Sequence, residues 1–354
     1  MYTIVVTGGH HNSALVVAKL LLKKGHQVVW IGHRKSSRGD QFDSAEYLEL
    51  SAAGIPFHNL TAARLLPDAR EFTRFPLGVI KALKILQASR PTAILSFGGY
   101  LGGTIALAGK LLGIPIYLHE QTVIAGKANK LIGRLAKRIY LTWPESTKYF
   151  VKSKTKVVGL PLRESILTAK PKKLFSRHKP TLLILGGKQG AHAINQFIFA
   201  HLTDLLMEFN LVHQTGTNSC TRDYDHALAL QNSLGSLADS YLPIGYITEN
   251  DIGSYLQSAN YYLGRSGAHI TYELGILGLP SIFVPLLSTH DHEQHKNAAI
   301  LVRAKCGLIL AQSELSLPHF AATFASLRKL RPHPLSLPQK AGDALVTDLL
   351  STLT

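Results

Sequence analysis

The chain is 354 residues long, which is enough for two domains of ordinary size. It carries 38 Lys and Arg against 22 Asp and Glu, a formal charge of +16, which favours an anionic partner: a nucleotide phosphate, a nucleic acid or an acidic membrane surface. Two cysteines exclude a disulfide framework. No window of about 18 uninterrupted apolar residues and no signal-peptide pattern is present, so we expect a non-secreted protein that does not span a membrane.

The first half of the chain alternates between predicted strands and helices. Residues 2–7 form a β-rich run that ends in a glycine loop, and an amphipathic helix over 14–24 and a strand over 27–31 follow. The loop therefore falls at the carboxyl end of a strand, where open α/β sheets bind ligands. The same alternation predicts strands at 56–58, 92–96, 116–118, 138–142 and 156–158, with helices at 77–88, 103–112 and 129–136.

The sequence around this first glycine loop does not fit a nicotinamide dinucleotide site. The G-x-G-x-x-G pattern is missing, and the second strand ends in Gly32-His33-Arg34 rather than in an acid that would bind a ribose. We interpret the loop as a turn that faces a phosphate or a sugar.

The second half repeats the alternation after a basic, proline-containing segment at 170–179. Its strands are predicted at 180–185, 210–214, 241–245, 260–263 and 281–285. The chain should therefore form two doubly wound parallel sheets, which would hold a ligand in a cleft between them. A proline-rich joint at 331–338 precedes a predicted terminal helix at 339–350.

The turn at 264–267 joins a strand to a helix predicted over 268–277, which should stop at Gly278. We expect the turn to need glycine because glycine tolerates a positive φ and lets the backbone approach a ligand. The free N–H groups and the dipole of the helix start make an anion site, and Glu273 on this helix suits a ribose diol. The alternative is an ordinary strand-turn-helix with a solvated Glu273.

Three more loops have this character: FGGYLGG at 97–103, HEQT at 119–122 before Gly126-Lys127-Ala128-Asn129, and GGKQGA at 186–191. With TGGH at 7–10, VVGLPLR at 157–163, GRSGAHITYELG at 264–275 and DHEQHKNA at 291–298, they form an ordered set. In order and spacing this set resembles the MurG family over nearly the whole chain.

The resemblance implies an α/β fold of the GT-B type, two Rossmann-like domains with an interdomain cleft. The acceptor and membrane-facing domain would be 1–162, the UDP-sugar domain 163–335, and the helix at 336–354 would return to the first domain. It also implies an inverting hexosyltransferase that moves N-acetylglucosamine from UDP-GlcNAc to lipid I, making lipid II for peptidoglycan and cell-wall biogenesis, cell shape and cell division. Such an enzyme would be peripheral, at the cytoplasmic face of the plasma membrane.

The resemblance also assigns roles to residues. His10 would be the general base on the acceptor hydroxyl, a role that suits the near-neutral pKa of histidine. The donor would contact Thr7, Gly8, Gly9, Arg163, Gly187, Lys188, Gln189, Ile247, Ala268, His269, Ile270, Thr271, Tyr272, Glu273, Gln294 and Asn297. The acceptor side would comprise Gly98, Gly99, Tyr100, His119, Glu120, Gln121, Thr122 and Asn129.

The partners implied are UDP-GlcNAc, an undecaprenyl-linked lipid and an anionic membrane surface. A nucleic acid is not expected, because the basic residues are dispersed and no binding motif is present. No cofactor or metal is expected to be required, since a helix N-terminus and Arg163 can stabilise the leaving diphosphate, although stimulation by a divalent metal stays open.

Some positions depart from the family pattern: Val5, Val6, Ser13, Thr122, Lys188 and Glu293. They leave two alternatives open. One is a related transferase with another lipid acceptor, such as a diacylglycerol. The other is a non-catalytic binder of nucleotide sugars that acts as a membrane partner.

Three further patterns have simpler interpretations. We expect Asp223-Tyr224-Asp225 to be a solvated helix face rather than a metal motif, and residues 290–295 to form a hydrogen-bonding loop rather than a metal site. The apolar and basic run at 74–90 is either a patch for anionic lipid headgroups or a helix that covers the sheet, and we favour the patch.

Overall fold

The computed structural model describes residues 1–9, 11–35, 43–60, 69–176, 178–187, 189–286 and 292–353, with the backbone alone at 45 and 69–74. This part of the chain divides into two compact units: unit 1 is Met1–Leu162 with Pro338–Thr354, and unit 2 is Arg163–Leu337. The predicted boundary at 162/163 is the same, whereas the second one lies two residues beyond 335. Within the described ranges, no helix has the length and apolar character needed to cross a bilayer.

Unit 1 contains a parallel sheet that, in its described residues, has seven strands in the order β3-β2-β1-β4-β5-β6-β7. The order runs outward in both directions from β1 and β4, so the sheet is doubly wound, as predicted. Its strands are β1 (Thr3–Thr7), β2 (Gln27–Gly32), β3 (Phe57–Asn59), β4 (Ala93–Ser96), β5 (Ile116–Glu120), β6 (Arg138–Leu141) and β7 (Thr155–Val157).

The helices of unit 1 cover both faces of this sheet. They are α1 (His11–Lys23), α2 (Ala45–Ala52), α3 (Ala69–Ser89), α4 (Gly99–Leu111), α5 (Lys127–Leu135) and α14 (Ala341–Ser351). Alternation along β1 separates two cores: Ile4 and Val6 pack with α1 and α14, whereas Val5 packs with α3, α4 and α5. A strand buried on both faces explains the continuous apolar run at the start of the chain.

A buried carboxylate holds the terminal helix α14 against the rest of unit 1. Asp348 accepts a hydrogen bond from the Tyr140 hydroxyl at 3.0 Å and forms ion pairs with Lys156 and Arg138. Because α14 also packs against α1, the last residues of the chain complete the core of its first unit.

Unit 2 repeats the architecture. Its described residues form a six-stranded parallel sheet in the order β10-β9-β8-β11-β12-β13. The strands are β8 (Thr181–Leu185), β9 (Asn210–Gln214), β10 (Tyr241–Ile244), β11 (Tyr261–Gly264), β12 (Ser281–Phe283) and β13 (Gly307–Ile309). The helices are α6 (Glu164–Thr168), α7 (His192–Ala200), α8 (Leu202–Glu208), α9 (Asp223–Ser233), α10 (Ile252–Ser258), α11 (Ala268–Leu277), α12 (Glu293–Arg303) and α13 (Leu317–Leu327).

The predicted elements are present, and some have other limits. Helix α3 runs through Pro76 instead of starting after it, although a proline inside a helix lacks one backbone donor and crowds the carbonyl of the preceding turn. Helix α4 starts at Gly99, so part of the glycine loop is helical. No bounds were predicted for α2, β13 or the helices of unit 2 other than α11. Helix α11 has the predicted limits and ends at Gly278 in the left-handed conformation, with φ 64°.

Candidate functional site

In each unit the chain order reverses between two central strands, and the glycine loops follow those strands. In unit 1 the reversal lies between β1 and β4, and in unit 2 between β8 and β11. The carboxyl ends of strands at such a switch point leave a crevice in which open α/β sheets bind ligands. The loops after β1, β4, β8 and β11 are four of those that the sequence singled out, and the HEQT loop follows β5, the neighbour of β4.

In unit 2, helix α11 begins directly after the turn at 265–267. Its N-cap is Gly267, with φ −64° and ψ 158°, and no side chain of the described residues caps the helix. The first N–H groups therefore carry the positive end of the dipole without a side-chain acceptor at the cap. The expected need for a positive φ was wrong: neither Gly264 nor Gly267 has one. Gly264 is required for another reason, because a Cβ there would overlap the carbonyl oxygen of Leu185 and the hydroxyl of Tyr262.

Glu273 lies on α11 and is fully buried, so the alternative of a solvated glutamate was wrong. Arg163 donates to both of its carboxylate oxygens, each at 2.6 Å from Nη2, and Nε adds a third contact at 3.0 Å. Burial raises the pKa of Glu273, and Arg163 acts against that rise. The structure thus joins two residues that the resemblance assigned to separate parts of the donor.

The start of α12 is tied to the turn before α11. Ser266 donates from Oγ to the carbonyl of Gln294 at 2.8 Å, and Asn297 donates from Nδ2 to the carbonyl of Ser266 at 3.2 Å. Gln294 in turn accepts at Oε1 from the backbone N–H of Leu286. Two predicted donor residues are thus held beside the α11 turn.

Two buried oxygens in this region have no hydrogen-bond partner among the described residues. They are Oγ1 of Thr271 and Oδ1 of Asn297, and both residues are almost completely buried. A buried polar atom without a partner is costly in a native protein, and such atoms are common where a ligand or water completes the site.

The loop after β8 is packed tightly against the loop after β9. Gly187 and Gly190 have φ near 85°, and a Cβ on Gly190 would overlap the carbonyl oxygen of Thr215. Gly216, with φ 84°, lies against the backbone of Gln189 and Gly190. These glycines are needed both for conformation and for close approach.

The remaining predicted donor residues differ in accessibility. Gln189 is exposed, His269 and Ile270 are half-buried, and Ala268 and Tyr272 are buried. Ile247 is buried, and its N–H donates to Oε1 of Gln214 at 3.0 Å. The predictions for His10, Lys188 and the loop residues His290 and Asp291 lie outside the described residues.

In unit 1, the loops after β1 and β4 meet at their glycines. Gly9 donates from its backbone N–H to the carbonyl of Gly98 at 3.1 Å, and a Cβ on Gly9 would lie 3.3 Å from the Cα of Gly99. Gly98 has φ 87° and ψ −162°, a region open almost only to glycine. Thr7, at the end of β1, is buried with no partner for Oγ1 in the described structure.

A buried carboxylate organises the acceptor-side residues. Oε1 of Glu120 accepts from the backbone N–H of Thr122 at 2.9 Å, and Oε2 accepts from Nδ2 of Asn129 at 2.8 Å. Asn129 in turn fixes the position of Gly99, because its Oδ1 accepts from the N–H of Gly99 at 3.2 Å. A continuous set of hydrogen bonds therefore links Glu120 to the glycines beside Gly9.

The other acceptor-side predictions lie around this network. His119 is buried, with Nε2 at 3.2 Å from the carbonyl of Gly159, and Tyr100 stacks on His33 with ring centroids 5.3 Å apart. Gln121 is buried, and its Oε1 has no partner in the described part of the chain. Thr122 fits its site: its hydroxyl lies 2.8 Å from Glu120.

The expectation of a solvated Asp223-Tyr224-Asp225 face was wrong for the first aspartate. Asp223 is buried, and it accepts from Nδ2 of Asn195 at 2.7 Å and contacts Nδ1 of His192 at 2.9 Å. Asn195 also contacts Nε2 of His213. The aspartate is the first residue of α9, where a negative charge is stabilised by the helix dipole, and only Asp225 remains exposed.

Sequence reasoning missed Gln214 and Asn195 as parts of this region. Gln214 is a polar residue at the end of an apolar strand, and Thr215-Gly216 follow it, so the signal was available at the same place as in the other loops. Asn195 lies inside a helix three residues after the first helical position, and its role depends on contacts with His213 of β9 and with Thr215 just after it, which no local pattern reveals.

Two Rossmann-like units with glycine loops at their switch points define a nucleotide-binding α/β protein of the GT-B class. The N-terminal domain of glycosyltransferase family 28 matches residues 2–141, and the C-terminal domain of the same family matches 181–348.

Two relatives carry the name UDP-N-acetylglucosamine–N-acetylmuramyl-(pentapeptide) pyrophosphoryl-undecaprenol N-acetylglucosamine transferase. The protein from Francisella philomiragia is 31% identical, with 97% of this chain and 92% of the relative covered, and that from Geobacter metallireducens is 30% identical, with 96% and 91% covered. The crystal structure of Acinetobacter baumannii MurG has a TM-score of 0.73 and 24% identity, with 99% of this chain and 100% of that chain covered. The chain belongs to the MurG family of glycosyltransferases.

Proposed function

We propose that the protein transfers N-acetylglucosamine from UDP-GlcNAc to lipid I, the undecaprenyl-pyrophosphoryl-MurNAc-pentapeptide, with inversion at the sugar carbon, and so makes lipid II for peptidoglycan. The observation that carries the proposal is the identity of 31% over 97% of the chain with a relative named for this transfer. The fold alone does not decide the reaction, because a fold hosts many activities.

The donor would bind in unit 2 at the switch point between β8 and β11. Support comes from the uncapped start of α11, which favours a diphosphate, and from the buried oxygens of Thr271 and Asn297, which have no partner among the described residues. Glu273 is fully buried and accepts three hydrogen bonds from Arg163, so the ribose would have to reach its remaining lone pair or displace part of the contact with Arg163. In the second case the guanidinium of Arg163 becomes available to the leaving diphosphate.

Catalysis would proceed without a resident metal or cofactor. His10 would take the proton of the acceptor hydroxyl as its oxygen bonds to the anomeric carbon, while the bond from that carbon to UDP breaks and the electron pair leaves with the diphosphate. The dipole of α11 and Arg163 would stabilise the charge that develops on the leaving group. Stimulation by a divalent cation is compatible with this scheme.

Attachment at the cytoplasmic face of the membrane would use the outer side of α3 and α4. Leu77 and Ile80 on α3 are 66% and 50% exposed, and Leu111 at the end of α4 is 65% exposed. Lys81 and Lys84 are exposed on the same helix as the first two. Apolar side chains with basic neighbours on one surface are typical of helices that lie on anionic bilayers.

The test of the reaction is UDP release from UDP-GlcNAc with a lipid I analogue, for the wild type and for His10→Ala. We expect turnover by the wild type and a loss of 100-fold or more in His10→Ala. Donor binding without turnover would favour the non-catalytic alternative, and turnover only with a diacylglycerol or another lipid would favour the related transferase.

The test of the membrane surface is sedimentation with vesicles of phosphatidylglycerol or of phosphatidylcholine. The double variant Leu77→Ser/Ile80→Ser should bind phosphatidylglycerol vesicles at least tenfold more weakly than the wild type. Met207→Ser is the matched control, since Met207 is also 66% exposed but belongs to unit 2. Equal binding by the double variant and the control would contradict the assignment.

A further inference from the structure

Gln214 connects two loops through its side-chain amide. It is the last residue of β9 and is 5% exposed. Its Nε2 donates to the carbonyl of Gly187 at 2.9 Å, and its Oε1 accepts from the backbone N–H of Ile247 at 3.0 Å. Both ends of the amide are therefore used, one on the loop after β8 and the other on the segment after β10.

The position of β9 in the sheet explains why one side chain can do this. β9 lies between β10 and β8, in register with both. Its carboxyl end is thus flanked by the loop that contains Gly187 and by the segment that contains Ile247. A shorter amide such as that of asparagine, or a side chain without both a donor and an acceptor, would not make the same two hydrogen bonds.

We propose that Gln214 is a positioning residue for the nucleotide part of the donor, which fixes the backbone that receives the base relative to the loop that receives the diphosphate. This inference rests on the proposed function and on two roles that the family resemblance implies: main-chain contacts of residues 246–247 with the uracil, and a position of the Gly186-Gly187 loop near the diphosphate. Gln214 would act through the two backbones and would not touch the reacting atoms.

The loop after β8 is itself held in place by the loop after β9. Gly190 and Gly216 pack against each other with positive φ, so the loop after β8 cannot shift without a clash with the loop after β9. Only the segment at 246–247 then needs a tether to set its distance, and the buried amide of Gln214 supplies it. Preorganisation of this kind raises affinity because less conformational entropy is lost on binding.

Gln214→Met keeps the side-chain length and removes both hydrogen bonds. We expect it to raise the Kd for UDP, measured by isothermal titration calorimetry, by tenfold or more, and to raise the KM for UDP-GlcNAc similarly, with the KM for the lipid acceptor unchanged. The matched control is Asn210→Leu, because Asn210 is a buried amide on the same strand at its opposite end, where Nδ2 donates to the carbonyl of Lys179. It should leave the Kd for UDP unchanged.

Gln214→Glu gives a second readout that a merely structural role would not produce. An ionised carboxylate can accept from Ile247 but is repelled by the carbonyl of Gly187, whereas a protonated one can donate to that carbonyl. The affinity for UDP of this variant, relative to the wild type, should therefore be lowest at pH 8 and recover towards pH 5.5. This comparison also serves if the methionine variant does not fold.

The outcomes are distinct. If the wild type binds UDP and Gln214→Met binds it equally well, or if Asn210→Leu weakens it as much, the role of Gln214 is overturned and the proposed function stands. A flat pH response of Gln214→Glu overturns the role as well. If the wild type does not bind UDP, the proposed function and this inference fail together.

Discussion

The guanidinium of Arg163 donates hydrogen bonds to both carboxylate oxygens of Glu273 within unit 2, and Nη2 lies 2.6 Å from each oxygen. Arg163 precedes the short helix α6 and Glu273 lies on α11, so the pair closes a sequence separation of 110 residues. Removing one partner of such a pair leaves an uncompensated buried charge, which is far more costly than replacing both.

Arg163→Met should therefore lower the free energy of unfolding by about 3–5 kcal/mol, whereas Arg163→Met/Glu273→Gln should regain most of that loss. Urea unfolding at pH 8 measures both. The pKa of Glu273, already raised by burial, rises further without Arg163, so the deficit of the single variant should shrink at pH 5. A double variant as unstable as Arg163→Met would contradict this account.

A second prediction concerns Glu120, whose two oxygens both face donors. In Glu120→Gln one oxygen becomes an NH2 group, which meets either the N–H of Thr122 or the amide of Asn129. The variant should lose about 1–3 kcal/mol of stability and much of its transfer activity, because Asn129 no longer orients Gly99. Thermal unfolding and UDP release measure the two effects. Glu208→Gln, at an exposed glutamate in the last turn of α8, is the control and should change neither.

Two glycines of one motif should respond oppositely to alanine. Gly98→Ala forces a side chain into a conformation that is almost restricted to glycine, and its Cβ would overlap the amide of Asn129, so we expect a loss of about 1–3 kcal/mol or more. Gly103→Ala lies inside α4 with no heavy atom within 4 Å of the new Cβ, and should be neutral or up to about 1 kcal/mol more stable. Thermal unfolding compares them. Equal losses would show that the loop geometry is not the cause.

The buried His213 predicts a pH dependence of stability. Burial lowers its pKa from 6.5 to about 3, with Asp223 acting in the opposite direction. Nε2 faces the carbonyl oxygen of the Asn195 amide and must donate, so Nδ1 accepts from the Tyr241 hydroxyl and the ring is neutral. The unfolded chain binds the proton below pH 6.5 and the folded one does not, so stability is full above pH 6.5 and is lost as the pH falls towards 3.

At pH 5 this loss amounts to roughly 2 kcal/mol for one histidine. Urea unfolding at pH 7.5 and at pH 5 measures this loss. Between the two pH values, the free energy of unfolding should fall more for the wild type than for His213→Gln, in which residue 213 cannot titrate. Other histidines contribute equally to both proteins. An identical pH response of the two would show that His213 does not titrate differently in the folded state.

Much of the fold was predictable from local pattern. The β-rich runs of the second half fell within two residues of β8 to β12, and the limits of α11 were predicted correctly, because an apolar run buried on both faces and a terminal glycine are local signals. Strand β13 was not predicted, although β3, β7 and β12 are equally short and were. The glycine loops were found because each follows a strand, and the reversal of strand order places them at switch points.

The sequence by itself determined the two-unit parallel architecture, the family and the loops at the strand ends, since each is written in neighbouring residues. Tertiary structure decided which side chains meet: Arg163 with Glu273, Glu120 with Asn129, and Gln214 between Gly187 and Ile247. These contacts join residues that are up to 110 positions apart. Several of the side chains bind backbone groups, and because every residue has such groups, the sequence does not mark which one is the partner. A local pattern cannot encode them, because they exist only once the strands have brought their ends together.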